Sequence, residues 1–275
     1  MLWPVAQLPT WCERAAAGRL NDGDAATEVM RIYNEWLADF CATYPERFAG
    51  LACIPNHDID AAVKEIYRVA ERGQVRGVEV ANTLDMKPVF DPSWAPLWQA
   101  LNEVKLPVHF HTIGGRPPDF AKMAPLQRRQ AFAVFITGFQ MQMSRIIMEL
   151  IYGGVLEAYS DINIVIGESG IGWIPYLLEH MDLEWQDQFQ DLTLKMKPSE
   201  YWRGQCKATY QSDKVGIKLL AELGEDNIMW GSDFPHPDGI WPDSQEFIVN
   251  ELGHLPPGQK KKIVCDNAAR LYGFV

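Results

Sequence analysis

Histidine occupies two alternate positions at the end of the apolar segment LPVHFH, residues 106–111. Alternate side chains of a β-strand point to the same face, so we expect His109 and His111 to lie on one face. A single histidine in a core is more often a hydrogen-bonded structural residue than a ligand. Two on one face, the second at the carboxyl end of the strand, indicate that His111 is a metal ligand or general base. His109, one layer deeper, is predicted to contact substrate.

A carboxylate follows a second apolar segment, INIVIG, at Glu168. A carboxylate at the end of a buried strand costs free energy unless a cation, a proton or hydrogen bonds compensate it. Glu168 is therefore predicted to be a metal ligand or an acid–base group. The structural alternative is a carboxylate that pairs with a basic neighbour or caps the following helix.

The strongest local pattern is NIMWGSDFPHPDG, residues 227–239. Asp233 should emerge at the end of a last strand, with Gly231 allowing close approach of the backbone. His236 follows in a turn whose flanking prolines restrict φ. An aspartate here can bind a divalent metal and also move a proton, so Asp233 and His236 are the predicted catalytic residues. Local hydrogen bonding by Ser232 and Asp233 in a turn is the alternative.

His111, Glu168 and Asp233 together offer one nitrogen and two carboxylate donors, a mixed set that suits zinc or manganese. They lie far apart in the sequence, so the site depends on a fold that brings several strand ends together. Trp173 is a candidate substrate-binding residue in an aromatic pocket, although tryptophans at helical spacing are more often core.

Short apolar segments alternate with helical ones along the whole chain. Helical spacing or capping residues predict helices over residues 25–43, 94–102, 173–181, 215–223 and 257–272, with others beginning near residues 58 and 125. Seven strands are predicted between them, over residues 2–5, 50–54, 75–80, 106–111, 162–166, 206–210 and 227–230. This alternation predicts parallel strands joined by right-handed crossovers in a single domain, residues 1–275.

Two architectures have such an alternation, an open doubly wound sheet and a TIM-type (β/α)8 barrel. Candidate catalytic residues at the ends of several separate strands favour the barrel, which places its chemistry there. No GxGxxG follows the first strand, so the dinucleotide-binding fingerprint is absent from the sequence. With seven predicted strands, the barrel is expected to be incomplete.

The composition excludes several classes of partner. The net charge of −11 and the lack of clustered Lys and Arg argue against nucleic acid binding. We find no apolar stretch near the roughly 18 residues needed to cross a bilayer and no signal-peptide pattern, so we expect no membrane partner. Five scattered cysteines form no CxxC pair, which predicts free thiols in a reducing cytoplasm.

The sequence resembles the amidohydrolase-related family that includes aminocarboxymuconate-semialdehyde decarboxylase and the γ-resorcylate-type decarboxylases. The resemblance covers about nine tenths of the chain, through YPERFAGLACIP, VRGVEV, LPVHFHT, IVIGESGIGWIPYLLEHMD, MWGSDFPHPDG and DNAARLYGF. It implies metal ligands at His111 and Asp233, and a substrate-carboxylate or proton-transfer role at His236. Glu168 stands where many members have histidine. Dimers are common in the family, so a homodimer is expected.

One departure concerns the first strand. Family members usually open with a strand that carries an HxH or ExH pair, which supplies two further ligands. No such pair occurs before His109, and MLWPV resembles the second strand instead. Either the true start lies upstream, or the chain is a shortened natural form whose barrel seam must be covered by a partner or a repositioned segment.

These patterns predict a metal-dependent enzyme, a decarboxylase or a hydrolase, that acts on a small carboxylated or ring-derived substrate with Zn or Mn as cofactor. Two alternatives remain. One is a catalytically impaired barrel that serves as a scaffold or ligand-binding subunit because the first-strand ligands are absent. The other is a metal-independent hydrolase that uses Asp233 and His236 alone.

Overall fold

The computed structural model describes residues 23–82, 86–111, 120–236 and 239–275. Within these ranges the strands form one parallel sheet whose spatial order is the chain order. The strands are β1 (Gly50–Ile54), β2 (Val75–Val80), β3 (Val108–His111), β4 (Ile164–Gly167), β5 (Cys206–Tyr210) and β6 (Ile228–Trp230). Sequential parallel pairing requires a crossover after each strand, and helices provide these crossovers.

The helices lie before, between and after the strands. They are α1 (Gly23–Ala42), α2 (Ile59–Arg72), α3 (Ala95–Val104), α4 (Pro125–Gly138), α5 (Met143–Tyr152), α6 (Val155–Ala158), α7 (Ile174–Gln188), α8 (Pro198–Gln205), α9 (Lys214–Lys218), α10 (Leu220–Leu223), α11 (Ser244–Leu252), α12 (Pro257–Lys261) and α13 (Asn267–Leu271). A π-helical turn, Lys262–Asp266, joins the last two. The predicted cap of α2 is present, because Asp58 Oδ1 accepts the Ala61 N–H at 3.0 Å.

Six of the seven predicted strands are present, three of them with the predicted bounds; the seventh, residues 2–5, lies outside the described residues. The third strand begins two residues later than predicted. Pro107 lacks an N–H and cannot donate to the ladder, although its carbonyl still accepts from Val78 N at 2.9 Å.

The two faces of the sheet are buried differently. Outward-facing side chains such as Val78, Phe110 and Ile166 belong to the large core that the helices cover. Inward-facing residues form a second cluster, which contains Leu51 of β1, Met229 of β6 and, between them in the sheet, Val165 of β4, packed with Ala49 and Tyr272.

This inner cluster requires a rolled sheet. In a flat sheet β1 and β6 would be separated by five strand spacings, roughly 24 Å. Residues of β1, β4 and β6 share one buried cluster around the Tyr272 ring, so the sheet curves around it as a barrel wall does. The rolled sheet brings the carboxyl ends of the strands to one rim.

The first described helix is fastened to the outer edge of β1. Asn34 Oδ1 accepts the Cys53 N–H at 2.8 Å, and its Nδ2 donates to the Cys53 carbonyl at 2.9 Å. Without Asn34, both backbone groups would need hydrogen-bond partners on a neighbouring strand. At this residue a side chain of α1 supplies those hydrogen bonds.

Helix α4 has no buried residue, and Leu126 and Val134 are among its exposed apolar side chains. The helical run Pro125–Tyr152 is long and apolar enough to cross a bilayer by length and composition, which the sequence analysis did not find. Those two criteria alone are weak evidence, since they also fit core helices of soluble proteins.

Candidate active site

The predicted metal ligands lie at one rim of the rolled sheet. His111 is the last residue of β3, Glu168 directly follows β4, and Asp233 follows β6 by three residues. Strands β3 and β4 are neighbours, with Cα of His111 paired to Gly167. Barrel enzymes carry their catalytic groups at this rim.

His111 and Glu168 are hydrogen-bonded to each other. His111 Nε2 lies 2.9 Å from Glu168 Oε2, and the two side chains are 17% and 13% exposed. Burial alone would lower the pKa of His111. The hydrogen bond to Glu168 and the charges of Glu79, Glu168 and Asp233 outweigh burial and raise that pKa. Three carboxylates therefore act on one imidazole at the rim.

The backbone holds Glu168 in a sparsely populated conformation. Its φ is +51°, in the left-handed region that non-glycine residues seldom adopt. Its N–H donates to Thr209 Oγ1 of β5 at 2.8 Å, and the next N–H, of Ser169, donates to the Thr209 carbonyl at 3.2 Å. Thr209 was not predicted from the sequence; it fixes where the Glu168 side chain leaves the strand.

The loop that continues from Glu168 is anchored by Asp213, another residue that the sequence analysis missed. Asp213 Oδ2 accepts the N–H groups of Ile171 and Gly172, each at 2.7 Å, and Oδ1 accepts that of Gly216 at 2.8 Å. A carboxylate that accepts three backbone N–H groups restrains both its own helix terminus and the loop opposite.

Asp233 shares the unusual backbone conformation of Glu168, with φ at +56°. Its carbonyl accepts the His236 N–H at 2.8 Å, and its Oδ2 lies 3.3 Å from His236 Nδ1. The predicted catalytic pair is thus in contact within one turn. Gly239 closes this turn, since a Cβ there would lie 2.8 Å from the Asp233 carbonyl oxygen.

Trp173 lies beside the same loop. Its indole Nε1 donates to the Ser169 carbonyl at 2.8 Å, and its ring packs partly buried against the main core. The side chain therefore braces the segment that follows Glu168. Its predicted contact with substrate stays a prediction.

His109 lies one layer below His111, as predicted, but its surroundings do not support the predicted substrate contact. Its side chain is fully buried, with Nδ1 3.0 Å from the Val78 carbonyl and Nε2 2.7 Å from the Tyr272 hydroxyl. Burial lowers the pKa of His109 to about 4. We interpret His109 as a structural residue of the barrel floor, by which we mean the buried layer around Tyr272 below the rim.

Glu79 of β2 is a buried carboxyl that the sequence analysis did not select. It is 8% exposed, and its Oε2 has no hydrogen-bond partner. Burial raises the pKa of Glu79, whereas the charge of His111 lowers it. One signal was available, since alternation along the strand places Glu79 on the face of Gly77, opposite Val78 and Val80, which pack in the outer core.

The chemistry of these donors suits a divalent cation, because imidazole nitrogen and carboxylate oxygen are ligands of Zn²⁺ and Mn²⁺. As positioned among the described residues, no three His, Cys, Asp or Glu side chains surround a common point. Instead, the candidate donors contact each other in two pairs, His111 with Glu168 and His236 with Asp233. A cation bound here would have to replace the hydrogen bond between His111 and Glu168.

A cavity of about 510 Å³ lies elsewhere and contains none of the predicted site residues. Asn227, just before β6, is among its lining residues, so it opens at the amino ends of the strands. In a barrel that end serves stability rather than chemistry, and we place the candidate active site at the opposite rim.

Sequence relatives of the chain include decarboxylases. It is 26% identical to the γ-resorcylate decarboxylase of Rhodococcus jostii (strain RHA1), over 94% of this chain and 80% of that protein. It is 20% identical to the 2-amino-3-carboxymuconate-6-semialdehyde decarboxylase of Dictyostelium discoideum, over 90% of this chain and 67% of that protein.

Solved structures with the same fold include a 5-carboxyvanillate decarboxylase from Sphingomonas paucimobilis, with 26% identity, a TM-score of 0.76, and coverage of 92% of this chain and 75% of that one. A dihydroxybenzoic acid decarboxylase from Polaromonas sp. JS666, with bound manganese and the inhibitor 2-nitroresorcinol, has 21% identity and a TM-score of 0.74, and the match covers 92% and 77%. These likenesses confirm the predicted TIM-barrel-type fold.

A model of the family described as "Amidohydrolase" matches residues 13–274. That match spans nearly the whole chain, and it includes each residue predicted for the site. The chain therefore belongs to the amidohydrolase family and is an enzyme of the amidohydrolase superfamily, as the sequence resemblance predicted.

Proposed function

We propose that this protein is a divalent-metal-dependent carboxy-lyase that releases CO2 from a small aromatic carboxylate at the rim formed by the ends of β3, β4 and β6. The observation that carries the proposal is the convergence of charge on His111. Glu168 hydrogen-bonds it at 2.9 Å, and the charge of Asp233 also acts on it. Relatives over nine tenths of the chain are decarboxylases.

His111, Glu168 and Asp233 would hold the cation. The set contains more oxygen than nitrogen donors, which suits Mn²⁺ well and also permits Zn²⁺. Manganese is favoured by its presence in solved decarboxylases of the same fold. When bound, the cation would neutralise the substrate carboxylate and an adjacent oxygen, so that the ring lies in a fixed orientation.

Asp233 and His236 are proposed to handle the proton. Decarboxylation needs a proton at the ring carbon that bears the carboxylate; the C–C bond then breaks, its electron pair returns to the ring, and CO2 leaves. The Asp233–His236 contact at 3.3 Å gives a carboxylate and an imidazole within reach of one another for such a transfer.

A hydrolase would use the same donors to direct water at a carbonyl. The relatives with assigned reactions are decarboxylases, and these favour carboxy-lyase chemistry over both hydrolysis and an impaired scaffold. A homodimer and a cytoplasmic location stay predictions of the sequence.

The test is turnover by metal-stripped protein that is resupplied with Mn²⁺ or Zn²⁺. Substrates would be 2,6-dihydroxybenzoate and 5-carboxyvanillate, with released CO2 and the decarboxylated phenol both quantified. We expect stoichiometric CO2 and phenol with metal and neither after chelation. The matched variants are Asp233→Asn, expected to be inactive, and Asp187→Asn at an exposed carboxylate, expected to be active. Failure of the metal-loaded wild-type protein on a wider panel of aromatic carboxylates would contradict the proposal.

A further inference from the structure

Glu79 lies on the inner face of β2, on the strand next to the one that carries His111. Its Cα pairs in register with that of His109, two residues before His111 on the same face. Glu79 therefore starts one layer below the rim. A glutamate side chain is long enough to reach upward from there, whereas an aspartate would stay in the lower layer.

One oxygen of the Glu79 carboxyl is buried without a hydrogen bond. The residue is 8% exposed, and Oε2 accepts no hydrogen bond. Glu79 forms no ion pair with any residue that the structure describes, and His111 is the one charged group that affects its pKa. Burying a carboxylate without a cation, a proton or hydrogen bonds is expensive, and a cation bound at the rim would offset that cost.

The place of Glu79 in the sheet indicates where its carboxyl lies. Its strand, β2, borders β3 on the side opposite β4, which Glu168 follows. The Glu79 carboxyl therefore approaches His111 from the side away from Glu168, and its charge acts on His111.

We propose that Glu79 is an additional ligand of the metal ion, supplied by β2, a strand that the sequence analysis gave no role in the site. This inference rests on the proposed function, since it needs the cation that His111, Glu168 and Asp233 would hold. With Glu79 the donors come from β2, β3, β4 and β6, and the described residues alone provide four protein ligands.

The experiment measures Mn²⁺ binding directly rather than activity. Metal-stripped protein is titrated with Mn²⁺, and the free ion is quantified by its electron paramagnetic resonance signal. In Glu79→Gln the carboxylate is replaced by an amide of the same shape. We expect Mn²⁺ affinity to fall by about 10- to 100-fold or more, at least the loss typical of a residue that supports a ligand.

The matched control is Glu251→Gln. Glu251 is also buried, at 5% exposure, and its Oε2 also lacks a partner, but its contacts are to Ser212 and Asp213. Its Mn²⁺ affinity should equal that of the wild-type protein. Glu79→Asp is the second variant; it keeps the charge and shortens the reach, and it should also bind Mn²⁺ more weakly.

Thermal unfolding of the metal-free proteins separates a ligand from a structural residue. Removing an unpartnered buried carboxyl should leave metal-free Glu79→Gln at least as stable as the wild-type protein. A lowered unfolding temperature in the metal-free variants, matching their loss of Mn²⁺, would overturn the inference. So would equal Mn²⁺ affinity in Glu79→Gln and wild type, with the proposed function intact. A wild-type protein that binds neither Mn²⁺ nor Zn²⁺ would overturn both.

Discussion

His111 Nε2 and Glu168 Oε2 lie 2.9 Å apart across the neighbouring ends of β3 and β4. Because the two strands are parallel, both side chains leave the sheet at the same rim, where barrel enzymes carry their catalytic groups. The pair ties two chain segments separated by more than fifty residues into one site, and the first two predictions concern what surrounds it.

Asp233→Asn and His236→Gln should separate metal binding from proton transfer. Asp233→Asn removes the proposed ligand and the proposed acid–base group together, so Mn²⁺ affinity should fall and turnover should drop by about 100- to 10,000-fold. His236→Gln should lower kcat while Mn²⁺ affinity stays close to wild type. Steady-state kinetics and Mn²⁺ titration on the same preparations provide the check. Equal loss of Mn²⁺ in both variants would contradict the division of roles.

Thr209→Val removes the hydroxyl that accepts the Glu168 N–H at 2.8 Å, with little change of shape. The N–H of a residue with positive φ then lacks its partner, and we expect a loss of about 1–3 kcal/mol in the free energy of unfolding. Mn²⁺ affinity should fall by roughly 10-fold or more, as for other residues that orient ligands. Urea denaturation and Mn²⁺ titration measure the two effects. Thr193→Val, at an exposed threonine, should change neither.

Gly77→Ala should destabilise the barrel floor. A Cβ at Gly77 would lie 2.8 Å from Leu51 Cδ2, 2.9 Å from His109 Cε1 and 3.1 Å from the Pro107 carbonyl oxygen. Such overpacking typically costs about 1–3 kcal/mol. Gly204→Ala is the control, because nothing lies within 4 Å of its added Cβ and it stands in helix α8. That change should stabilise the protein by about 0.5–1 kcal/mol. Equal unfolding midpoints for the two variants would refute the packing argument.

The free energy of unfolding should depend on pH because of the buried His109 in the barrel floor. Burial lowers the pKa of His109 from 6.5 to about 4. As the pH falls below 6.5, His109 becomes protonated in the unfolded chain, whereas in the folded protein it stays neutral until the pH approaches 4. The contribution of His109 is therefore fully present above pH 6.5 and is lost as the pH falls toward 4, a difference of 2.5 units or about 3 kcal/mol. Unfolding curves of wild type and His109→Gln from pH 7 to 4 test this, and parallel pH profiles would contradict it.

Much of the fold could be predicted from the sequence. Segments such as GLACI and VRGVEV formed strands with the predicted bounds, because short, mainly apolar segments between helices are typical of buried parallel strands. The bounds were less accurate in LPVHFH, where Pro107 delays the ladder. The rim that carries His111, Glu168 and Asp233 followed from the rule that parallel strands end together.

The contacts within the site could not be predicted in the same way. That His111 hydrogen-bonds Glu168 depends on β3 lying beside β4, and that His109 meets Tyr272 depends on a residue 163 positions away. Glu79 looked like an ordinary polar residue in a largely apolar strand until its burial and its unpartnered Oε2 were known. The left-handed backbone of Glu168 gave no sequence signal, since glutamate seldom adopts positive φ.

That backbone also restricts which side chains can replace one another at the rim. Asparagine, aspartate and histidine are the non-glycine residues that tolerate positive φ best. Exchanging Glu168 for histidine, the residue common there in the resembled family, should therefore leave the turn undisturbed while a hard oxygen donor gives way to a softer nitrogen. Under the proposed ligand role of Glu168, this one substitution should shift the preference of the site from Mn²⁺ toward Zn²⁺ without disturbing the surrounding fold.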